Sequence, residues 1–322
     1  MTINPAPLTI TTATQLPDGA LGARYSFQMG AAGGVPPYTW NATGLPDGLA
    51  IDPASGIISG TPGAAGVISF AVRVTDSTRV AFSQNTFRIN VTLPPVPSIN
   101  ISGLPSTAGA GQQFSLQIAL SAAFPAPLSG QAILTFSPEV GGGDGTIQFS
   151  TGGTTANFTI PAGGTAASFT APFAVQTGTV AGAIGISLRL NAGGLDVTPS
   201  PAPAVSTHID QAAPVIKSAT FTRGANSIGI QIVGYSTARE VTQASFTFSA
   251  AAGQTLQPTA SQIAVAVDTL FGSWFQNSAN NAYGSQFVFT QPFSVQGDVN
   301  AVTPQTVTLT NRRGTVTAPV TQ

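Results

Sequence analysis

The sequence predicts an all-β chain, on three observations. Apolar and polar residues alternate with a period of two through much of its length. Turn-forming clusters such as Pro46-Asp47-Gly48, Gly141-Gly142-Gly143 and Ala162-Gly163-Gly164 break that alternation at short intervals. Glycine and proline are abundant, 36 and 25 of 322 residues, as many tight turns between short strands require. One-sided strands of this kind belong to antiparallel sheets with one face buried and the other solvated.

The alternation can be followed element by element. Phe70, Val72 and Val74 fall on one face of the first clear strand, and Phe87, Ile89 and Val91 on one face of the next. Phe114, Leu116, Ile118 and Leu120 form a third series, and Ile184, Ile186, Leu188 and Leu190 a fourth. Towards the C-terminus come Phe246 and Phe248, then Ile263, Val265 and Val267, then Val307 and Leu309. Many short strands separated by regular turns read as β-sandwiches.

Two Pro-rich stretches make joints. Leu93-Pro94-Pro95-Val96-Pro97 is a short polyproline-like spacer, and Thr198-Pro199-Ser200-Pro201-Ala202-Pro203 lies close before Ala213-Pro214. Cuts there give about three tandem immunoglobulin-like β-sandwiches joined by Pro-rich linkers, over residues 1–94, 95–211 and 212–322. Val205 to Ile209 is the last strand of the middle one. A short helical or irregular insertion near 268–284 crosses one end of the third sandwich. There Leu270, Phe271, Trp274 and Phe275 fall at helical spacing, with Asp268 placed to cap.

Composition narrows the function. Charged residues are 7% of the chain against about 25% in an average soluble protein, so hydroxyls, amides and backbone must keep it in solution. The net charge is −1 and the ten Lys and Arg are scattered, so no basic stripe exists to neutralise phosphates and nucleic acid is not an expected partner. The absence of cysteine excludes a disulfide scaffold and thiolate metal sites. No apolar run approaches the roughly 18 residues of a membrane span. Met1-Thr2-Ile3-Asn4-Pro5 lacks the basic and apolar regions of a signal peptide. An exported chain is then expected to be a processed or excised piece with a start Met; the alternative is a particle protein assembled inside a cell.

The first third holds a dense series of motifs. Val35-Pro36-Pro37-Tyr38-Thr39-Trp40 leads to Gly44-Leu45-Pro46-Asp47-Gly48-Leu49, then to Gly56-Ile57-Ile58-Ser59-Gly60-Thr61-Pro62 and Phe70-Ala71-Val72-Arg73-Val74-Thr75-Asp76. Pro46 presets φ for a turn and Gly48 accepts a positive one, between two apolar anchors, while Trp40 can fill a sandwich centre. Over residues of about 8–92 the chain resembles the putative-Ig, cadherin-like module of bacterial surface and secreted proteins. The resemblance implies a stalk, spacer or adhesive role and no catalysis. The remainder is similar only in general to bacterial surface sandwich repeats.

Candidate chemistry is thin. His208 is the sole histidine, no Gly-x-Ser-x-Gly elbow occurs, and the eleven acids are widely spread, so no catalytic residue is expected and no cofactor. Asp47, Asp52 and Asp76 are the candidate calcium ligands, with turn and strand-end roles as the alternative. Trp274, Phe275, Asn277, Asn281 and Tyr283, with Asn280, are the candidate sugar platform, in which rings stack on sugar faces and amides bond hydroxyls. The alternative is that Trp274 and Phe275 plug the end of the sandwich. Lys217, Glu240 and Asn311 have the chain order of an intramolecular Lys–Asn amide with a catalytic acid, as in some surface-fibre sandwiches that the chain resembles in general.

The leading expectation is a non-catalytic extracellular structural or adhesion segment of a bacterial surface protein or fibre. A carbohydrate-binding array using the third-domain aromatics is the second, and a phage or virion decoration protein the third. With so few charges to block strand edges, protein–protein contact or self-assembly is expected. Leu8 to Thr12 is a strand that could be donated to a neighbour or pair within its own domain.

Overall fold

A computed structural model describes residues 5–257 and 262–322; Met1–Asn4, part of the N-terminal stretch discussed above, lie outside the described residues. The fold is all-β, as the alternation requires. Contacts divide the chain into two compact units. The first is Met1–Pro97 with Ala122–Leu128 and Pro161–Thr165, and the second is Ser98–Ser121, Ser129–Ile160 and Ala166–Gln322. Among the described residues no helix is long and apolar enough to cross a membrane.

In the first unit, one sheet runs Gly19–Ala20, Phe82–Thr92, Gly66–Thr75, Thr39–Thr43, and the other Tyr25–Gln28, Ile57–Gly60, Leu49–Ile51. The inward residues Phe70, Val72, Val74, Phe87, Ile89 and Val91 are all buried in one core with Trp40 and Ile58. Trp40 sets the local chain path. A β-carbon at Gly56, whose φ is +73°, would lie 2.6 Å from the indole nitrogen, so only glycine admits the ring. Gly48, at φ +84°, closes the Leu-Pro-Asp-Gly-Leu turn, and its carbonyl accepts from the Thr61 amide at 2.9 Å. The N-terminal strand Thr9–Ile10 pairs antiparallel with Ala31–Ala32 of the same chain.

Among the described residues of the second unit, no sheet mixes strands from before and after residue 212. Before it, Thr155–Ile160, Leu128–Pro138, Gly182–Ala192 and Ala204–Ile209 form one sheet, with Leu195–Asp196 beside Gly182–Ala192. Gln113–Ser115, Ala174–Gln176 and Gln148–Phe149 form another, and Ile99–Ser102 pairs with Gln117–Leu120. The single series Phe114 to Leu120 is therefore two strands, because Gln113–Ser115 and Gln117–Leu120 join different sheets.

After residue 212, Val215–Arg223, Ser227–Tyr235 and Gln286–Ser294 face a sheet of Gln262–Ala266, Gln243–Ala250, Val302–Asn311 and Gly314–Pro319 across a Phe-rich core. The helix Asp268–Gln276 closes this core with Phe271 and Phe275, and a 3-10 turn follows over Ser278–Tyr283. Asp268 does not cap the helix. Val267 is the capping residue, without a side-chain bond, and Asp268 adds its negative charge to the first turn instead.

Candidate functional site: a buried polar junction

The second unit is organised around a polar cluster drawn from four loops: 139–147, 177–181, 236–240 and 281–285. Arg239 is buried, on a backbone of φ +50° that costs a non-glycine residue roughly 1 kcal/mol. Its guanidinium donates at 2.7 Å to the carbonyls of Gly142 and Gly143, at 3.1 Å to that of Gly284 and at 3.2 Å to the Asn281 side-chain oxygen. Burial pushes the Arg239 pKa below its ordinary value, and the charge of Asp144 opposes that shift. Nε is the one nitrogen of the group left without a partner.

Asp144 is equally buried and fully engaged. One carboxylate oxygen accepts from the Thr146 amide at 2.9 Å and from its hydroxyl. The other accepts from the amides of Thr179 at 2.6 Å and Val180 at 3.0 Å. Ser285 completes the cluster: its hydroxyl donates to the Thr179 carbonyl at 2.6 Å, and its amide to the Thr179 hydroxyl at 2.8 Å. Backbone bonds run alongside, from Gly145 to Asn281 at 2.7 Å and from Ala181 to Thr237 at 2.9 Å. Buried charge held by this many directed donors and acceptors is rigid, because any displacement leaves a costly unsatisfied group.

Glycine makes the approach possible. A β-carbon at Gly141 would come within 2.7 Å of the guanidinium, one at Gly142 would strike the Asn281 side chain, and one at Gly178 would strike the Asp144 carboxylate. Gly284, at φ +65°, would place its β-carbon 2.5 Å from both Asp144 and the Thr179 hydroxyl. The run Gly141-Gly142-Gly143-Asp144-Gly145, which reads as a turn in the sequence, is thus the socket for Arg239.

A second, exposed cluster lies on the same unit. His208 bonds Glu139 at 2.9 Å through Nε2 and Asp210 at 3.0 Å through Nδ1. Gln211 donates to Glu139 at 2.9 Å and accepts from Arg313 at 3.0 Å. Among the described residues no hydroxyl bonds this histidine; its two ring nitrogens meet carboxylates.

The residues singled out in the sequence are placed as follows. Asp52 accepts from the Ser55 amide and hydroxyl, both at 2.7 Å, and these bonds hold its carboxyl below the usual range. Asp76 accepts from the Thr78 hydroxyl at 2.6 Å and the Val35 amide at 3.2 Å; the Thr78 bond chiefly lowers its pKa, against burial. Asp47 lies in its own turn, its carbonyl bonded by Gly63 at 2.8 Å. Among the described residues no three His, Cys, Asp or Glu side chains lie close enough together to hold a metal ion, so the three aspartates do not converge.

Of the aromatic platform, Phe275 is a core residue, 6% exposed, and cannot offer a ring face to a sugar. Asn281 is committed to Arg239, and Asn277 caps the 3-10 turn through the Ala279 amide. Trp274 and Tyr283 are exposed; the Trp274 indole donates to the Gln286 carbonyl at 3.2 Å. Lys217 is exposed and rests 5.6 Å from the Tyr235 ring centroid. The Asn311 amide nitrogen instead donates to the Ala212 carbonyl at 2.9 Å, and Glu240 pairs with Arg312 at 3.1 Å. The geometry brings Asn311 to the residue-212 joint and leaves Lys217 on the surface. Arg239 and Asp144 went unread in the sequence; the only local sign of them was the glycine run.

The fold defines an all-β chain of largely antiparallel sheets packed on apolar cores. Residues 6–92 match the family model He_PIG, Putative Ig domain. No curated protein matches the chain. Human protocadherin-24 EC1-2 is 14% identical over 65% of this chain and 99% of that one, with a TM-score of 0.27. The D00-D0 domain of intimin is 12% identical over 63% of this chain and 99% of that one, with a TM-score of 0.23. A Bacteroides fragilis protein named as an alpha-galactosidase is 20% identical over 30% of this chain, with a TM-score of 0.25. The chain spans about a fifth of the length of that protein and of a second one so named from the same organism, 21% and 20%. No activity follows for this chain from any of these likenesses.

Proposed function

We propose that the chain is a non-catalytic structural or adhesion segment for the outside of a cell or particle, in which the second unit acts as one stiff spacer. The observation behind this reading is the Arg239–Asp144 junction. Sandwich strings joined only by Pro-rich linkers bend at each joint, whereas here loops from before and after residue 212 share a buried, densely hydrogen-bonded cluster. The bonds are directional and built on charge, so they resist torsion as well as separation. A surface of hydroxyls and amides with 7% charged residues suits such a role, since it neither attracts nor repels strongly charged surroundings.

Because the chain has no cysteine, paired spin labels can be placed without background. Thr151→Cys and Thr222→Cys, both exposed, put one label before and one after residue 212 in the full chain. A single narrow distance distribution is expected, which broadens when Arg239→Met is added. A broad distribution in the otherwise native chain would overturn the stiff-spacer reading.

A further inference from the structure

The outward face of the larger sheet in the first unit carries a set of groups that the scaffold reading does not use. Register places Asn41, Arg73 and Gln84 in one row across three strands, and Thr39, Thr75 and Phe82 in the next. Asn41, Thr43, Ala71, Arg73, Thr75 and Gln84 line a shallow cavity of about 390 Å³. Phe82 is 56% exposed at its rim, and the Arg73 guanidinium lies 4.1 Å from the centre of that ring.

Three features of this face point to a ligand. The Arg73 guanidinium lies over the Phe82 ring, and a planar guanidinium held against an aromatic face keeps the N–H fork that takes a carboxylate with two parallel bonds. Among the described residues the ion pairs involve His208 and Arg312, never Arg73, so its charge is uncompensated by the protein. The three strands contribute Arg73 and Arg88 and not one acid, a local cationic bias in a chain of net charge −1. Beside the guanidinium stand two amides and two hydroxyls, each both donor and acceptor, which match the hydroxyls of a sugar rather than the backbone of a peptide. The cavity lies on the face of the sheet, where side chains and not backbone groups are presented; an added peptide strand would pair instead along the free edge of Thr39–Thr43.

We infer that this face binds a glycan bearing carboxylates, such as a uronic-acid polymer, with Arg73 gripping a carboxylate and Asn41, Gln84, Thr43 and Thr75 bonding adjacent hydroxyls. Phe82 orients Arg73 and covers an apolar sugar edge. The inference is independent of the stiff-spacer reading, which rests on the other unit.

The test is calorimetric titration of the full chain with a galacturonic-acid oligosaccharide, its methyl ester and polyglutamate at physiological salt. The acid oligosaccharide is expected to bind, and the neutral ester at least about tenfold more weakly, the scale of one lost charge-assisted contact. Arg73→Gln should lose about as much, Arg73→Lys less, and Phe82→Ala should weaken binding with the melting temperature held. Trp274→Ala should change nothing. No binding of the acid oligosaccharide would overturn the inference. Equal binding of polyglutamate would assign the face to acidic peptide instead. An unchanged affinity in both Arg73→Gln and Phe82→Ala would place the glycan elsewhere. If Arg73→Gln does not fold, Arg73→Lys and Phe82→Ala decide.

Discussion

Asp144 and Arg239 are buried at the same junction, yet they do not pair with each other. The carboxylate is satisfied by Thr146, Thr179 and Val180, and the guanidinium by the carbonyls of Gly142, Gly143 and Gly284 and the amide of Asn281. Opposite charges near one another lower the cost of burial, while backbone groups do the bonding. The junction is therefore specified by loop geometry as much as by charge.

Removing the cation should show this. Arg239→Met strands four acceptors and leaves Asp144 without a neighbouring positive charge. A loss of about 3–5 kcal/mol is expected, in the range for breaking a buried charged network from one side. Denaturant unfolding should also pass from one transition to two for the part of the chain after Pro97. A single transition with a loss below about 1 kcal/mol would mean the network is passive.

The glycines allow a sharper comparison. Gly284 and Gly152 both have positive φ, +65° and +86°, but Gly284, at ψ −118°, also lies outside the left-handed helical region, so alanine strains its backbone the more. Only at Gly284 does the new methyl meet Asp144 and Thr179; at Gly152 it meets nothing within 4 Å. Gly152→Ala is expected to cost about 1–2 kcal/mol, the backbone term alone. Gly284→Ala should cost at least about 2 kcal/mol more, since the carboxylate bonds must break to make room. Melting temperatures of the two variants measure the difference.

These residues also mark where the sequence could and could not be read. Phe70, Val72, Val74 and Phe87, Ile89, Val91 were legible because burial in a one-sided sheet follows the period-two pattern, and all six are buried. The same pattern misled at Phe114 to Leu120, where the chain changes sheets at Leu116 without breaking step. It misled again at Ile263, which alternates like a core residue but stands 38% exposed on an edge strand. Arg239 was illegible for a different reason. Its partners at Gly142 and Gly143 lie 97 and 96 residues away, and a carbonyl acceptor has no side-chain signature. The socket was visible only as a run of glycines, which turns explain equally well.

Acid should weaken the first unit in a defined way. Asp52 and Asp76 titrate below the usual carboxylate value when folded, held there by Ser55 and Thr78. The unfolded chain binds their protons first as pH falls, near the ordinary carboxylate pKa of about 4. Their stabilisation is therefore complete above that pH and is lost as pH drops through the lower folded values. Asp76→Asn should be less stable at neutral pH and show a flatter acid limb in unfolding midpoints taken between about pH 2 and 7. A parallel limb would mean that Asp76 is not a linked proton site.

The end of the last core separates two neighbouring aromatics. Phe271 is 1% exposed and packs against Phe275, Phe287 and Phe289 at centroid distances of 5.9, 4.8 and 5.5 Å. Trp274, one turn on, is 36% exposed and holds the helix to Gln286 by one bond. Phe271→Ala opens a cavity under the helix that rigid sheets cannot close, so a loss of about 3–5 kcal/mol is expected. Trp274→Ala removes a half-exposed ring and one hydrogen bond, for roughly 1–2 kcal/mol. If the two losses are equal in chemical denaturation, the helix is not the plug of this sandwich and Trp274 does more than cover its end. If Phe271→Ala is the costlier, the buried Phe271 ring is the one that closes the core, and Trp274 only covers its end.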